Sequence, residues 1–158
     1  MADIRVGIGV DAHALEDGVA LVLGGVELDH PRGLAGHSDG DVLAHALIDA
    51  VLGAAGLGDI GSLFPSGEEC FRGVSSLDLL RDAYAQVREA GWTLVNADCV
   101  LVGEEPRIAP RREEMRRRLQ EAIGEGEVNV RATTTDHLGF TGRGEGLAAH
   151  AVALLERR

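Results

Sequence analysis

The sequence contains no lysine, because all 15 of its basic residues are arginines. This excludes a Schiff-base lysine and the lysine of a P-loop. Its two cysteines, Cys70 and Cys99, are too few for a disulfide framework and lack the spacing of a structural zinc site. Aromatic residues are also scarce, with one Trp, one Tyr and three Phe. The core must therefore be built from valine, leucine, isoleucine and alanine.

Long apolar runs are missing too. No stretch reaches the 18 consecutive apolar residues of a membrane-spanning helix, and the first residues lack the pattern of a signal peptide. We therefore expect a cytoplasmic protein with no membrane partner. The formal charge of −11 repels polyanions, so we expect no nucleic-acid partner. A length of 158 residues suits a single domain over 1–158.

The apolar residues follow strand periodicity in some segments and helix periodicity in others. Strands are predicted at Ile4–Ala14, Thr93–Gly103 and Val128–Thr134, with a hairpin at Val19–Leu28. Helices are predicted from Ser38, with Ser38 as the N-cap, and at Ser76–Ala90 and Pro110–Gly124. The last segment, Gly144–Arg157, fits either a strand or a helix. Because these elements interleave without a strict βαβ rhythm, we predict an α+β fold with helices on one face of a sheet.

The first strand carries a candidate metal site. Asp11 and His13 lie two residues apart, so they point to the same face of a strand. His45 from the following helix would complete a carboxylate–His–His set, which is typical of a divalent metal site with one position left for substrate. Alternatively, these side chains satisfy backbone groups locally. Asp41, four residues before His45, would either orient that imidazole or only cap the helix.

Two further runs have the chemistry of phosphate sites. His37 and Ser38 precede a predicted helix, where free N–H groups, the helix dipole and a hydroxyl can hold an anion. Ordinary capping by Ser38 is the alternative. The run Thr133–Asp136 offers hydroxyls and a carboxylate that suit a phosphate bridged by a hard cation, although threonine also simply favours strands.

Four motifs occur in one order along the chain: Gly9–His13, His37 to Ala50, Gly58 to Pro65, and Ala132 to Gly146. In this order and spacing the chain resembles the 2-C-methyl-D-erythritol 2,4-cyclodiphosphate synthase family, from about Val6 to Leu155. The resemblance implies a two-layer α/β sandwich, with a mixed four-stranded sheet and helices on one face. It also implies a homotrimer whose active sites lie between subunits.

The activity implied by the resemblance is that of a metal-dependent phosphorus–oxygen lyase of isoprenoid precursor biosynthesis. Such an enzyme cyclises 4-diphosphocytidyl-2-C-methyl-D-erythritol 2-phosphate to 2-C-methyl-D-erythritol 2,4-cyclodiphosphate and releases CMP. One zinc or other divalent ion per subunit would be bound by Asp11, His13 and His45. Asp136 would hold a second divalent ion, Mg or Mn, on the substrate diphosphate.

The resemblance also assigns roles to other residues. His37 and Thr134 would be catalytic by stabilising the transition state, and Ser38 would contact phosphate together with His37. Most of the remaining substrate-binding residues fall into three groups. Asp59, Ile60 and Gly61 would hold the methylerythritol part; Gly103, Glu104, Arg107, Ile108, Ala109, Ala132, Thr133 and Thr134 would frame the cytidine; Phe140 and Arg143, with Glu145, would lie near a cavity on the trimer axis that could take an isoprenoid diphosphate. Two further residues, Phe64 and Thr135, would also bind substrate.

Some positions depart from the commonest pattern of the family. Asp136 stands where glutamate is usual, so it reaches a shorter distance toward the second metal. Ser66 replaces a usual acidic residue, and Arg72 and Arg107 replace usual lysines. Arg107 still brings positive charge to a phosphate, with a different geometry.

Three other functions fit parts of the sequence. A metal-dependent phosphohydrolase would use the same three ligands to activate water and would release a linear phosphate. A trimeric module that binds isoprenoid diphosphates would depend on Arg143 and Phe140 instead. A purely structural zinc site is the third alternative, but such sites usually have four ligands and favour cysteine.

Overall fold

The computed structural model describes residues 3–157. Its main sheet has five strands in the order β4-β1-β7-β5-β6, and a separate hairpin pairs β2 with β3. All neighbours in the main sheet are antiparallel except β5 and β6, which are parallel. The bounds of the strands are β1 Asp3–Asp17, β2 Leu21–Leu23, β3 Val26–Leu28, β4 Arg32–Leu34, β5 Thr93–Val102, β6 Glu127–Thr133 and β7 Gly146–Arg157.

The mixed α+β architecture predicted from the sequence is confirmed, with one difference in the sheet and one open alternative decided. The four long strands were expected, but short β4 adds a fifth by pairing with the end of β1, at Leu15–Asp17. The last segment is a strand, which settles the strand-or-helix alternative. It pairs with β1 on one side and β5 on the other, so it occupies the centre of the sheet.

Five α-helices lie between residues 3 and 157: α1 Val42–Ala55, α2 Ile60–Leu63, α3 Ser76–Glu89, α4 Arg112–Ile123 and α5 Gly139–Gly142. A 3₁₀ turn spans Glu69–Phe71. Helix α1 is buried almost all round because it packs on β1 and β7 below and on α3 beside it. Helix α1 therefore covers one face of the sheet, and α3 packs beside it.

Two glycines of β1 allow α1 to lie very close to the sheet. A Cβ on Gly9 would stand 1.8 Å from the carbonyl oxygen of Ala46, and one on Gly7 would stand 2.0 Å from that of Ala50. Any side chain at these positions would push the helix away. Since Gly9 lies two residues before Asp11, and Ala46 follows His45, this contact sets the separation of the metal-site residues.

The predicted start of α1 at Ser38 is wrong: the helix begins at Val42, with Asp41 as its N-cap. Gly40 has a φ of +71°, a left-handed conformation that a continuing helix cannot contain. The Asp41 carboxylate is fully buried and accepts N–H bonds from Gly24, Gly25 and Ala44. Asp41 thus caps α1, which was one of its two predicted roles, and it also fastens the β2–β3 turn to this helix.

Candidate active site

Strand β1 and helix α1 bring together the three predicted metal ligands. Asp11 and His13 point to the same face of β1, and His45 lies in the first turn of α1. Asp11 Oδ2 lies 3.0 Å from His13 Nε2 and 2.9 Å from His45 Nδ1. One ligand atom from each residue falls within 4.8 Å of the other two. Since the Asp11 and His13 side chains are 25% and 22% exposed, the group is reachable from solvent. It could hold a divalent metal ion.

Hydrogen bonds at the far side of His13 fix which of its nitrogens faces this group. His13 Nδ1 lies 2.5 Å from the carbonyl oxygen of Ala35. A carbonyl can only accept, so Nδ1 carries a proton and Nε2 is the nitrogen that faces Asp11 and is available to a metal. This arrangement is typical of a metal-binding histidine, whose second nitrogen is usually held by a backbone carbonyl or a carboxylate.

The charge of the Asp11, His13 and His45 group favours binding of a cation. Burial acts to raise the pKa of Asp11, but hydrogen bonds and charge from His13 and His45 outweigh it and lower that pKa to about 2. The hydrogen bond to Asp11 raises the pKa of His13, against the opposing effect of burial. Asp11 is therefore an anion across the physiological range, and a positive charge beside it is stabilised.

Neither His37 nor Ser38 is at a helix start, and Ser38 lies beside the metal group. His37 Nε2 lies 2.6 Å from the carbonyl oxygen of Glu68, which ties it to the loop before α3. Ser38 Oγ lies 3.1 Å from His45 Nε2. Of the predicted anion site, the Ser38 hydroxyl therefore lies next to a metal ligand, whereas the N–H groups of α1 belong to a turn capped by Asp41.

The segment after α1 forms the short helix α2. Asp59 caps it and accepts the N–H of Ser62 at 2.8 Å, while Asp49 of α1 accepts the N–H of Ile60 at 2.7 Å. Phe64 ends this turn and packs edge-on against Phe71, with ring centroids 5.5 Å apart. The residues predicted to hold the methylerythritol part are thus anchored to the helix that carries His45.

A cavity of about 800 Å³ opens near the ends of β5 and β6. Eight residues predicted to frame a cytidine line it: Gly103, Glu104, Arg107, Ile108, Ala109, Ala132, Thr133 and Thr134. The sequence reading missed other lining residues, among them His30, Arg112 and His137. Arg112 lies within the predicted helix Pro110–Gly124, and no local pattern marks the other two. Within residues 3–157, the lining of this cavity includes no member of the metal group.

The threonine-rich turn after β6 has an unusual backbone. Asp136 and His137 both have positive φ values, 51° and 67°. The N–H of His137 donates to Glu104 Oε1 at 2.7 Å, which helps hold this turn against the cavity rim. Thr134 Oγ1 donates to Asp136 Oδ1 at 3.4 Å, whereas Thr135 Oγ1 donates to the carbonyl of Leu138 at 2.6 Å. Thr135 therefore closes the turn, and Thr134 and Asp136 are exposed.

Phe140 and Arg143 lie in and beside α5, apart from the larger cavity. Arg143 pairs with Glu145 at 2.9 Å and lines a smaller cavity of about 230 Å³. Phe140 is 43% exposed.

Comparison with known proteins identifies the family. The sequence pattern of the YgbB family matches residues 4–156. The chain belongs to the YgbB family. A 2-C-methyl-D-erythritol 2,4-cyclodiphosphate synthase of Rubrobacter xylanophilus is 56% identical, over 99% of this YgbB-family chain and 98% of the relative. The family resemblance drawn from the motifs is thereby confirmed.

Two other relatives add context to this YgbB-family chain. A bifunctional enzyme IspD/IspF of Anaeromyxobacter sp. is 56% identical over 99% of this chain but 41% of the relative. The chain thus spans about two fifths of the length of that relative. An IspF of Plasmodium falciparum, solved as a CDP complex, is 28% identical with a TM-score of 0.85, over 98% of this chain and 97% of that one. Among the helices between residues 3 and 157, none combines the length and the apolar character needed to cross a bilayer.

Proposed function

We propose that the chain cyclises 4-diphosphocytidyl-2-C-methyl-D-erythritol 2-phosphate to the 2,4-cyclodiphosphate and releases CMP. The observation that carries this proposal is the convergence of Asp11, His13 and His45 on one solvent-accessible point. Relatives of nearly equal length that bear this activity in their names support it. We propose further that the unit is one domain over 1–158, of which residues 1, 2 and 158 lie outside the described range.

The reaction is an intramolecular phosphoryl transfer. An oxygen of the 2-phosphate forms a bond to the β-phosphorus, and the bond from that phosphorus to the oxygen bridging to the α-phosphate breaks. The electron pair and that oxygen leave with CMP. Because the attacking oxygen is already an anion, no general base is required, and catalysis depends on positioning and charge neutralisation. A well-oriented arrangement can supply roughly 7–11 kcal/mol of the barrier.

Several residues would do this positioning. Asp11, His13 and His45 would hold a zinc ion, which supplies a Lewis acid against the phosphate charge. Ser38, whose hydroxyl lies next to His45, and His37, tied to Glu68, would contact phosphate. Thr134 would stabilise the transition state, and Asp136 beside it would hold the second ion, Mg or Mn, on the diphosphate. In a chain of net charge −11 this local neutralisation is necessary.

The cavity of about 800 Å³ is the proposed site of the cytidine. Its volume suits a small-molecule ligand. It is lined by backbone-rich segments on both sides and by Arg107 and Arg112 as cations. The CDP bound in the Plasmodium falciparum relative supports a cytidine nucleotide as the ligand class.

The open face of the sheet supports assembly of three copies. Ile4, Val6, Ile8 and Val10 of β1 are between 54% and 68% exposed, and Val152, opposite Ile8 on β7, is 46% exposed. A contiguous apolar surface of this kind is characteristic of an interface. Within residues 3–157 of one chain the cavity and the metal group share no residue, so a neighbouring subunit would bring the two together. An isoprenoid diphosphate at Phe140 and Arg143 would then lie on the trimer axis.

We expect Ile8→Asp to break this assembly, because each subunit would have to bury an unpaired carboxylate. Light scattering after size exclusion should show the mass of one chain instead of three, with loss of cyclase activity. Ala85→Asp on the exposed side of α3 is the matched control and should leave the mass unchanged. A trimer that survives Ile8→Asp would contradict the assignment of this face.

The function itself is tested by phosphorus NMR of the purified protein with the cytidine diphosphate substrate, Zn²⁺ and Mg²⁺. We expect the resonances of a cyclic diphosphate to appear together with CMP. A linear phosphate product would favour the phosphohydrolase. If no turnover occurs and binding of an isoprenoid diphosphate requires Arg143, the binding module is favoured instead.

A further inference from the structure

Two residues outside the proposed ligand set lie behind His45: Ser76 contacts its far nitrogen, and Asp39 holds Ser76. Ser76, the first residue of α3, is fully buried although it is polar. Its Oγ lies 2.8 Å from His45 Nε2. Asp39 accepts the Ser76 hydroxyl through Oδ1 and the Ser76 N–H through Oδ2, the latter at 3.0 Å. A continuous chain of hydrogen bonds therefore runs from Asp39 through Ser76 to His45.

The direction of the protons in this chain can be deduced. Both oxygens of Asp39 accept backbone N–H groups, Oδ2 from Ser76 and Oδ1 from Asp41 at 3.1 Å. They are therefore acceptors, so the single hydroxyl proton of Ser76 is directed to Asp39. Ser76 Oγ can then only accept from His45, which places a proton on Nε2. The other ring nitrogen, Nδ1, is then the one that faces the metal group, 2.9 Å from Asp11 Oδ2.

We propose that Asp39 and Ser76 are positioning residues of the metal centre, which set the tautomer and ring orientation of His45. They keep a lone pair on Nδ1 directed at the point where Asp11 and His13 converge. The carbonyl of Ala35 does the same for His13 from the opposite side. This inference rests on the proposed metal site and adds the residues that prepare it. Ser38 Oγ shares Nε2 at 3.1 Å as a second acceptor and keeps its own proton for a phosphate.

The arrangement also links α3 to the metal group. Asp39 lies in the loop before α1, and Ser76 begins a helix that packs on α1. Packing of α3 against α1 therefore places Ser76, the hydrogen-bond acceptor, next to His45. Asp41, the sequence candidate for this orienting role, is committed to Gly24, Gly25 and Ala44 instead.

The test measures Zn²⁺ affinity of the full chain by competition with a chromophoric chelator. Ser76→Ala should weaken binding about 10- to 100-fold, the usual cost of removing a partner behind a metal-bound histidine. Ser76→Cys keeps the shape but bonds weakly, and should fall between wild type and Ser76→Ala. The matched control is Ser75→Ala, because Ser75 is exposed and makes no side-chain cap bond. It should retain wild-type affinity.

A second measurement does not depend on folding of a variant. Long-range proton–nitrogen NMR of the zinc-loaded wild type reports which nitrogen of His45 carries a proton and which one faces the metal. We expect the Nε2–H form. An Nδ1–H form, or Ser76→Ala affinity within twofold of wild type, would overturn the inference and leave the proposed function intact. Failure of the wild type itself to bind Zn²⁺ would overturn both.

Discussion

Asp11→Asn should abolish stoichiometric zinc binding and reduce kcat/KM by about a thousandfold or more, while the fold stays intact. The substitution keeps the shape of the side chain and removes the only negative charge among the three ligands. A metal ion acting as a Lewis acid contributes several kcal/mol, and a loss of about 4 kcal/mol corresponds to about a thousandfold in rate. Asparagine oxygen is also a poorer zinc ligand than a carboxylate.

Metal content by mass spectrometry and phosphorus NMR of turnover measure this effect. Asp17→Asn is the matched control, because it makes the same change at an exposed position of the same strand, β1. It should keep wild-type zinc content and rate. The metal-site assignment fails if Asp11→Asn retains one zinc per chain and full activity.

Gly9→Ala should lower the free energy of unfolding by about 3 kcal/mol, at the upper end of the usual cost of overpacking a core. The added methyl would meet the backbone oxygen of Ala46 at 1.8 Å, and a backbone atom of a buried helix cannot turn aside. Helix α1 must therefore move off β1. Because His45 precedes Ala46, the same shift should spread the metal ligands and weaken zinc binding.

The control for this prediction is Gly53→Ala, in the exposed part of α1. A Cβ there meets only the Ile8 oxygen at 3.9 Å, an ordinary contact. Alanine should raise stability by up to about 1 kcal/mol, since glycine is a poor helix former. Urea denaturation of wild type and both variants at one protein concentration checks the pair. Equal midpoints for Gly9→Ala and wild type would show that α1 does not depend on this close approach.

Much of the architecture was predictable because it depends on local periodicity. Alternation over β1 placed Asp11 and His13 on one face, and the glycine pair at Gly24–Gly25 marked the hairpin. The start of α1 was placed four residues too early. Ser38 has the chemistry of a cap, but the left-handed Gly40 stops the helix there and Asp41 caps it. Strand β4 was missed because three residues carry too little pattern to register as a strand.

The candidate site, too, was predictable where it depends on short segments of sequence and not where it depends on contacts between distant residues. By itself the sequence determined which residues have metal, phosphate and nucleotide chemistry, because composition and spacing are properties of short segments. Only the tertiary structure decided that Asp39 and Ser76, 37 residues apart, stand behind His45, and that His30 and Arg112 line the cavity. The physical reason is that helix and strand periods specify which face is buried. Which buried faces meet is fixed by packing between distant elements, here by α1 lying on two glycines of β1 and α3 lying on α1.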